Sequence, residues 1–126
     1  GPLRRNFQSL LATPWAHDAI RHDPLALLAA CPAPILALFG GTDRQVDATE
    51  NAQALLPLAH GRGERAPLEV VVFEGLNHLF QRSESGAPEE YARIDTTLEP
   101  EVLARMIRFL HGATDSPDGP RDGRRP

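Results

Sequence analysis

The sequence predicts a mixed α/β fold built on a βαβ unit. Two short apolar runs, Ile35-Leu36-Ala37-Leu38-Phe39 and Leu68-Glu69-Val70-Val71-Val72-Phe73, are each stopped by glycine, the first at Gly40-Gly41 and the second at Gly75. Between them, Asp47 to Leu58 carries Ala48, Ala52, Leu55 and Leu56 at helical spacing. Strand, helix, strand in that order closes as two parallel neighbours joined by a crossover, which is right-handed in nearly all cases.

Taken in order, residues 1–31 read as helical, with Phe7, Leu10 and Leu11 on one face, a break at Pro14, and a second apolar set at Leu25, Leu27 and Leu28. Pro32 and Pro34 stop that region. The run from Ile35 to Phe39 suits a parallel strand buried on both faces, since it has no polar residue to turn toward water. Asp47 or Thr49 can cap the following helix. Residues 59–67, with Gly61, Gly63 and Pro67 among charges, read as a solvated loop. The β-branched run from Leu68 to Phe73 is the second strand. From Gln81 to Pro100 the chain turns polar and loop-like, and Glu101 to Leu110 resumes helical spacing through Val102, Met106, Ile107 and Leu110. Residues 112–126 lack periodicity and are expected to form a disordered tail. The expected organisation is therefore a helical segment over 1–31, an α/β unit over 32–111 and the tail.

Composition narrows the chemistry. The chain has 126 residues, 41% of them apolar, which suffices for one domain or part of one. A net charge of −4 argues against nucleic acid as a partner, because phosphate binding needs a concentrated basic face. No apolar run reaches the roughly 18 residues of a membrane span. All thirteen cationic side chains are arginine, so no Schiff base or lysine general base can arise here. The single cysteine, Cys31, cannot form an internal disulfide and is expected to pack as a small apolar group. His17, His22, His60 and His111 have no partner at metal-ligand spacing, and no metal or organic cofactor is expected. The opening Gly1-Pro2-Leu3, in place of methionine, implies a processed or partial chain.

In an open parallel sheet, reactive side chains gather beyond the carboxyl ends of the strands. Two loops fall there: Gly40-Gly41-Thr42-Asp43-Arg44-Gln45-Val46 and Gly75-Leu76-Asn77-His78-Leu79-Phe80. Neighbouring parallel strands lie about 4.8 Å apart, so Asp43 and His78 are expected to meet across the crevice. A carboxylate that accepts the Nδ1 proton of an imidazole fixes its tautomer and stabilises the imidazolium formed when Nε2 takes a proton. Asp47 is the rival acid, and Asp43 could serve only as a helix cap. Leu79 and Phe80 are candidate walls of a substrate pocket beside His78, and Trp15 is a third candidate.

These two loops resemble the acid and histidine loops of bacterial α/β-hydrolases, especially a serine-hydrolase group related to serine aminopeptidases and dienelactone hydrolases. The resemblance extends over roughly residues 13 to 110. It takes in Pro14-Trp15, Asp23-Pro24, Cys31-Pro32-Ala33-Pro34 with the first strand, and Gly86-Ala87-Pro88-Glu89-Glu90-Tyr91 after the histidine loop. It implies the C-terminal part of an α/β-hydrolase fold, whose last two strands carry Asp43 and His78 of a Ser-Asp-His triad acting on a small-molecule ester, thioester or amide.

That family also requires a Gly-x-Ser-x-Gly nucleophile elbow upstream. None occurs here: the four serines, Ser9, Ser83, Ser85 and Ser116, have no strand-turn-helix context. The chain alone is thus expected to be inactive, and self-association through an exposed sheet edge is expected, or else an easily proteolysed monomer. The alternative is a non-catalytic α/β binding module or a truncated remnant. A nucleotide-binding half is disfavoured, because no Gly-x-Gly-x-x-Gly follows either strand.

Overall fold

Aspartates set the starts of two helices in this chain. In the computed structural model, which describes residues 13, 14, 16, 21–64 and 66–114, Asp23 caps α1 (Pro24–Ala30). Its Oδ1 accepts from the amides of Leu25 and Ala26 at 3.0 and 3.2 Å, and Pro24 occupies the first turn, where its missing N–H leaves nothing unsatisfied. Asp47 caps α2 (Ala48–Gly61) in the same way, accepting from Glu50 N at 2.8 Å. The chain divides by its internal contacts into Gly1–Cys31 and Pro32–Pro126, and both candidate loops belong to the second unit.

That unit is built on a two-stranded parallel sheet, β1 (Ile35–Gly40) and β2 (Leu68–Phe73), connected through α2. The register pairs Ile35 with Leu68 and runs without a bulge to Gly40 opposite Phe73. The carboxyl ends of the two strands are therefore level, and the loops that leave them start at the same sheet edge. α2 lies against both strands and buries Ala48 and Leu55, while Leu68 is buried at the start of β2. Among the described residues each strand pairs with the other alone, so the outer edge of β1 has no strand beside it.

Several elements differ from their expected limits for physical reasons. α2 continues three residues beyond Leu58, with Pro57 inside it, and ends at Arg62, whose amide donates to the Leu58 carbonyl. The Arg62 guanidinium then holds the loop by donating to the carbonyls of Ala66 and Ala33, both at 2.6 Å. The polar stretch between Gln81 and Pro100 contains a 3₁₀ helix, Pro88–Arg93. The last helix, α3 (Pro100–Thr114), runs into the region expected to be tail, and residues 115–126 lie outside the described ones.

Burial is where the structure departs most from the sequence reading. Within β1 only Gly40 is buried and its other residues are half-buried, although the apolar run reads as a strand covered on both faces. Of the α3 positions with core-facing spacing, Val102 is 1% exposed, but Met106, Ile107 and Leu110 stand exposed together with Leu103. Spacing identifies one apolar face; it does not supply the layer that covers it. α3 is tied to the unit by two ion pairs, Arg105 with Glu69 of β2 and Arg82 with Glu101 at 2.9 Å.

Candidate functional site

Each strand end delivers one of the two candidate residues. The acid loop leaves β1 through Gly40, whose α-carbon faces the backbone of the neighbouring loop so closely that a β-carbon would lie 2.5 Å from the carbonyl oxygens of both Leu76 and Asn77. The contact is reinforced by Thr42 N, which donates to the Leu76 carbonyl at 3.0 Å. The two loops are thus joined backbone to backbone before any side chain meets.

The histidine loop is a tight fold-back organised by Asn77. This residue is fully buried: its Oδ1 accepts from the amides of Leu79 and Gln81 at 2.9 and 3.0 Å, and its Nδ2 donates to Gln81 Oε1 at 3.1 Å. An antiparallel bridge between Leu76 and Arg82 closes the loop, and Gln81 Nε2 donates to the Thr96 carbonyl at 2.8 Å. Gly75, at φ 74°, begins the turn, and Phe80 holds φ 56°, a left-handed conformation that costs a non-glycine residue about 1–2 kcal/mol. Leu76, also fully buried, anchors the base of the loop. With Leu76 and Asn77 turned inward, His78 is left at the crest, with its side chain 40% exposed.

Asp43 and His78 meet, with Nδ1 of the imidazole 2.9 Å from Oδ2 of the carboxylate. The two oxygens of Asp43 divide their work: Oδ1 accepts from the amides of Gln45 and Val46 at 2.7 and 3.1 Å, leaving Oδ2 for His78. Asp47, the rival acid, is committed to capping α2. The Asp43 side chain is only 7% exposed. Burial by itself would raise its pKa, but the hydrogen bond from His78 and those from the Gln45 and Val46 amides outweigh burial and hold the carboxyl below its ordinary value. At neutral pH Asp43 is therefore an ionised acceptor. Nδ1 must then donate, which leaves the lone pair of the neutral ring on Nε2.

Because the folded pKa of Asp43 is depressed, its contribution to stability is present above the unfolded value and is lost as pH falls through the folded one. The pair is expected to break only as pH falls below the ordinary aspartate range, set by the usual value of 3.8. Carboxyl carbon shifts of Asp43 followed by NMR would check this; a midpoint above that range would contradict it.

A small cavity of about 130 Å³ opens beside the pair, lined by Leu38, Phe39, Gly40, Val46 and Phe80 together with Asp43 and His78. Phe80 stacks edge-on against Phe73, with ring centroids 6.3 Å apart, so its left-handed backbone turns an aromatic ring into the wall. Of the pocket residues expected from sequence, Phe80 takes that place. Leu79 is exposed and does not line the cavity, and Trp15 lies outside the described residues. Sequence reasoning missed Asn77 and Gln81 as organisers of the loop, although an asparagine in a turn commonly bonds to the backbone two residues on, as Asn77 does to Leu79 N.

No cluster of three or more histidine, cysteine, aspartate or glutamate side chains that could hold a metal occurs among the described residues. No described helix is long and apolar enough to cross a membrane. Comparison with protein-family models, with curated proteins and with solved structures finds no match to this chain.

Proposed function

We propose that this chain is the C-terminal part of a serine hydrolase of the α/β-hydrolase fold, contributing the acid and the histidine of a Ser-Asp-His triad for hydrolysis of a small acyl substrate. The single observation that carries the reading is the Asp43–His78 contact at 2.9 Å, formed across level strand ends, with the acid held below its ordinary pKa. In that arrangement Nε2 of His78 would act as general base toward a serine hydroxyl and then return the proton to the leaving group, with Asp43 holding the imidazole and stabilising its charged form. The apolar wall of Leu38, Val46 and Phe80 suits an acyl chain better than a charged group.

The nucleophile would come from outside these 126 residues. The two described serines are already engaged, since the hydroxyls of Ser83 and Ser85 both donate to Glu90. That engagement is also the observation that favours the second reading, a binding module or remnant that keeps the pair without the reaction.

A fluorophosphonate probe separates the two. The chain by itself is expected to remain unlabelled, because neither an activated serine nor an oxyanion hole occurs among the described residues. Antibody capture of the native polypeptide that contains this sequence is expected to recover a longer species that is labelled at one serine and hydrolyses short acyl esters. Capture of a full-length native product that is unlabelled and inert would overturn the hydrolase reading, and stoichiometric labelling of the chain itself would overturn the division of the triad.

We also propose that the chain self-associates when alone. Among the described residues no strand pairs with the outer edge of β1, and α3 presents Leu103, Met106, Ile107 and Leu110 exposed. Sedimentation at increasing concentration is expected to show a rising mass; a strict monomer with a sharp thermal transition would contradict it.

A further inference from the structure

We infer that Glu90 is a positioning residue for the Asp43–His78 pair: its carboxylate, clasped by the hydroxyls of Ser83 and Ser85, shapes the segment that seats Gly86 against the acid loop at Thr42. The inference rests on the reading of Asp43 and His78 as a working pair.

The segment after the histidine loop is wrapped around one carboxylate. Ser83 donates to Glu90 Oε2, Ser85 Oγ donates to Oε1 at 2.6 Å, and the Ser85 amide reaches both oxygens at 3.2 and 3.4 Å. The serine oxygens then accept in turn, Ser83 Oγ from Gly86 N at 2.8 Å and Ser85 Oγ from Ala87 N at 3.2 Å. A charged acceptor at the centre of such a network makes its bonds shorter and stronger than neutral ones. The hydroxyl of Ser83, then that of Ser85, hold the Glu90 carboxyl below its ordinary pKa against the opposing effect of burial, so the clasp is charged at neutral pH.

The product of this wrapping is the placement of Gly86. It is buried, at φ 69°, and so close to the acid loop that a β-carbon would lie 1.6 Å from the Thr42 carbonyl oxygen. Thr42 immediately precedes Asp43. Its amide is held on one side by the Leu76 carbonyl, and its carbonyl is met on the other by Gly86. A further strut comes from the residue after Glu90, because Gln45 Nε2 donates to the Tyr91 hydroxyl at 3.0 Å, and Gln45 N is itself one of the donors to Asp43. Residues 83–91 therefore brace the acid loop at two points, Thr42 and Gln45, on either side of the carboxylate that must face His78.

The test reads the pair directly, without requiring turnover. Long-range ¹⁵N–¹H correlation of the full chain reports which ring nitrogen of His78 carries the proton, and amide exchange of Val70 to Val72 reports whether the sheet is intact. The wild-type chain is expected to show His78 protonated on Nδ1. Glu90→Ala is expected to lose that preference and give the mixed tautomers of a free imidazole, while the strand amides keep their protection. Glu90→Gln, which keeps the shape and one acceptor oxygen, is expected to retain part of the Nδ1–H signal. If Glu90→Ala fails to fold, Ser85→Ala decides, with partial loss of the Nδ1–H signal expected on an intact sheet. An unchanged His78 tautomer in the folded Glu90→Ala chain, or in Ser85→Ala where that variant has to decide, would overturn the role of Glu90 alone. Absence of the Nδ1–H signal from the wild type would sink the pair, and the role of Glu90 with it.

Discussion

Asparagine in place of Asp43 is expected to lower the turnover of the proposed serine-bearing hydrolase on the order of 10⁴-fold while leaving the fold in place. The reason lies in how the carboxylate is held. Oδ1 accepts from the amides of Gln45 and Val46, so in the variant that position must be filled by the amide oxygen of asparagine. The NH₂ group then takes the place of Oδ2 and points a donor at Nδ1 of His78. Nδ1 is forced to accept, the ring proton moves to Nε2, and the nitrogen that should receive a proton from the nucleophile already carries one. Substitution of Asp47 by asparagine is the matched control, because asparagine caps helices about as well as aspartate and turnover should be unaffected. Measured kcat/KM values for the two variants would decide. Equal losses, or a larger loss at position 47, would remove Asp43 from the proposed role.

Alanine at Gly40 is expected to have the largest effect on stability of any single methyl addition to β1, about 3 kcal/mol, and to be accommodated only by movement of the backbone. The added carbon would lie 2.5 Å from the carbonyl oxygens of Leu76 and Asn77, and neither is a flexible side-chain end that could swing aside. Relief of that overlap requires the histidine loop to lift from the acid loop, which stretches the Thr42 N to Leu76 O hydrogen bond. A domain's whole stability is of order 5–15 kcal/mol, so this one methyl removes a large share of it. Denaturant melts at fixed protein concentration would measure the loss. Alanine at Gly63, where a β-carbon meets nothing within 4 Å, should by comparison be nearly neutral. A Gly40→Ala chain as stable as wild type would show that the two loops are not in contact as described.

The sequence by itself determined the local elements and the placement of the candidate pair. Apolar runs stopped by glycine mark β1 and β2, and the helical spacing from Ala48 to Leu56 marks the crossover, because the periodicity of burial is written along the chain. Parallel pairing then puts Asp43 and His78 at one edge, and this required only the order of the elements. Beyond the reach of the sequence was every contact whose partners are distant in it or whose geometry depends on a shared environment. The division of Asp43 between two backbone amides and one imidazole decided which aspartate faces His78 and which caps a helix. Asn77 and Glu90 emerged as organisers only once their loops had folded around them, since a polar side chain shows its duty through the groups it satisfies. Periodicity likewise marked Met106, Ile107 and Leu110 as one apolar face, but only tertiary structure could show that face uncovered, because burial belongs to the neighbour a face finds and not to the face itself.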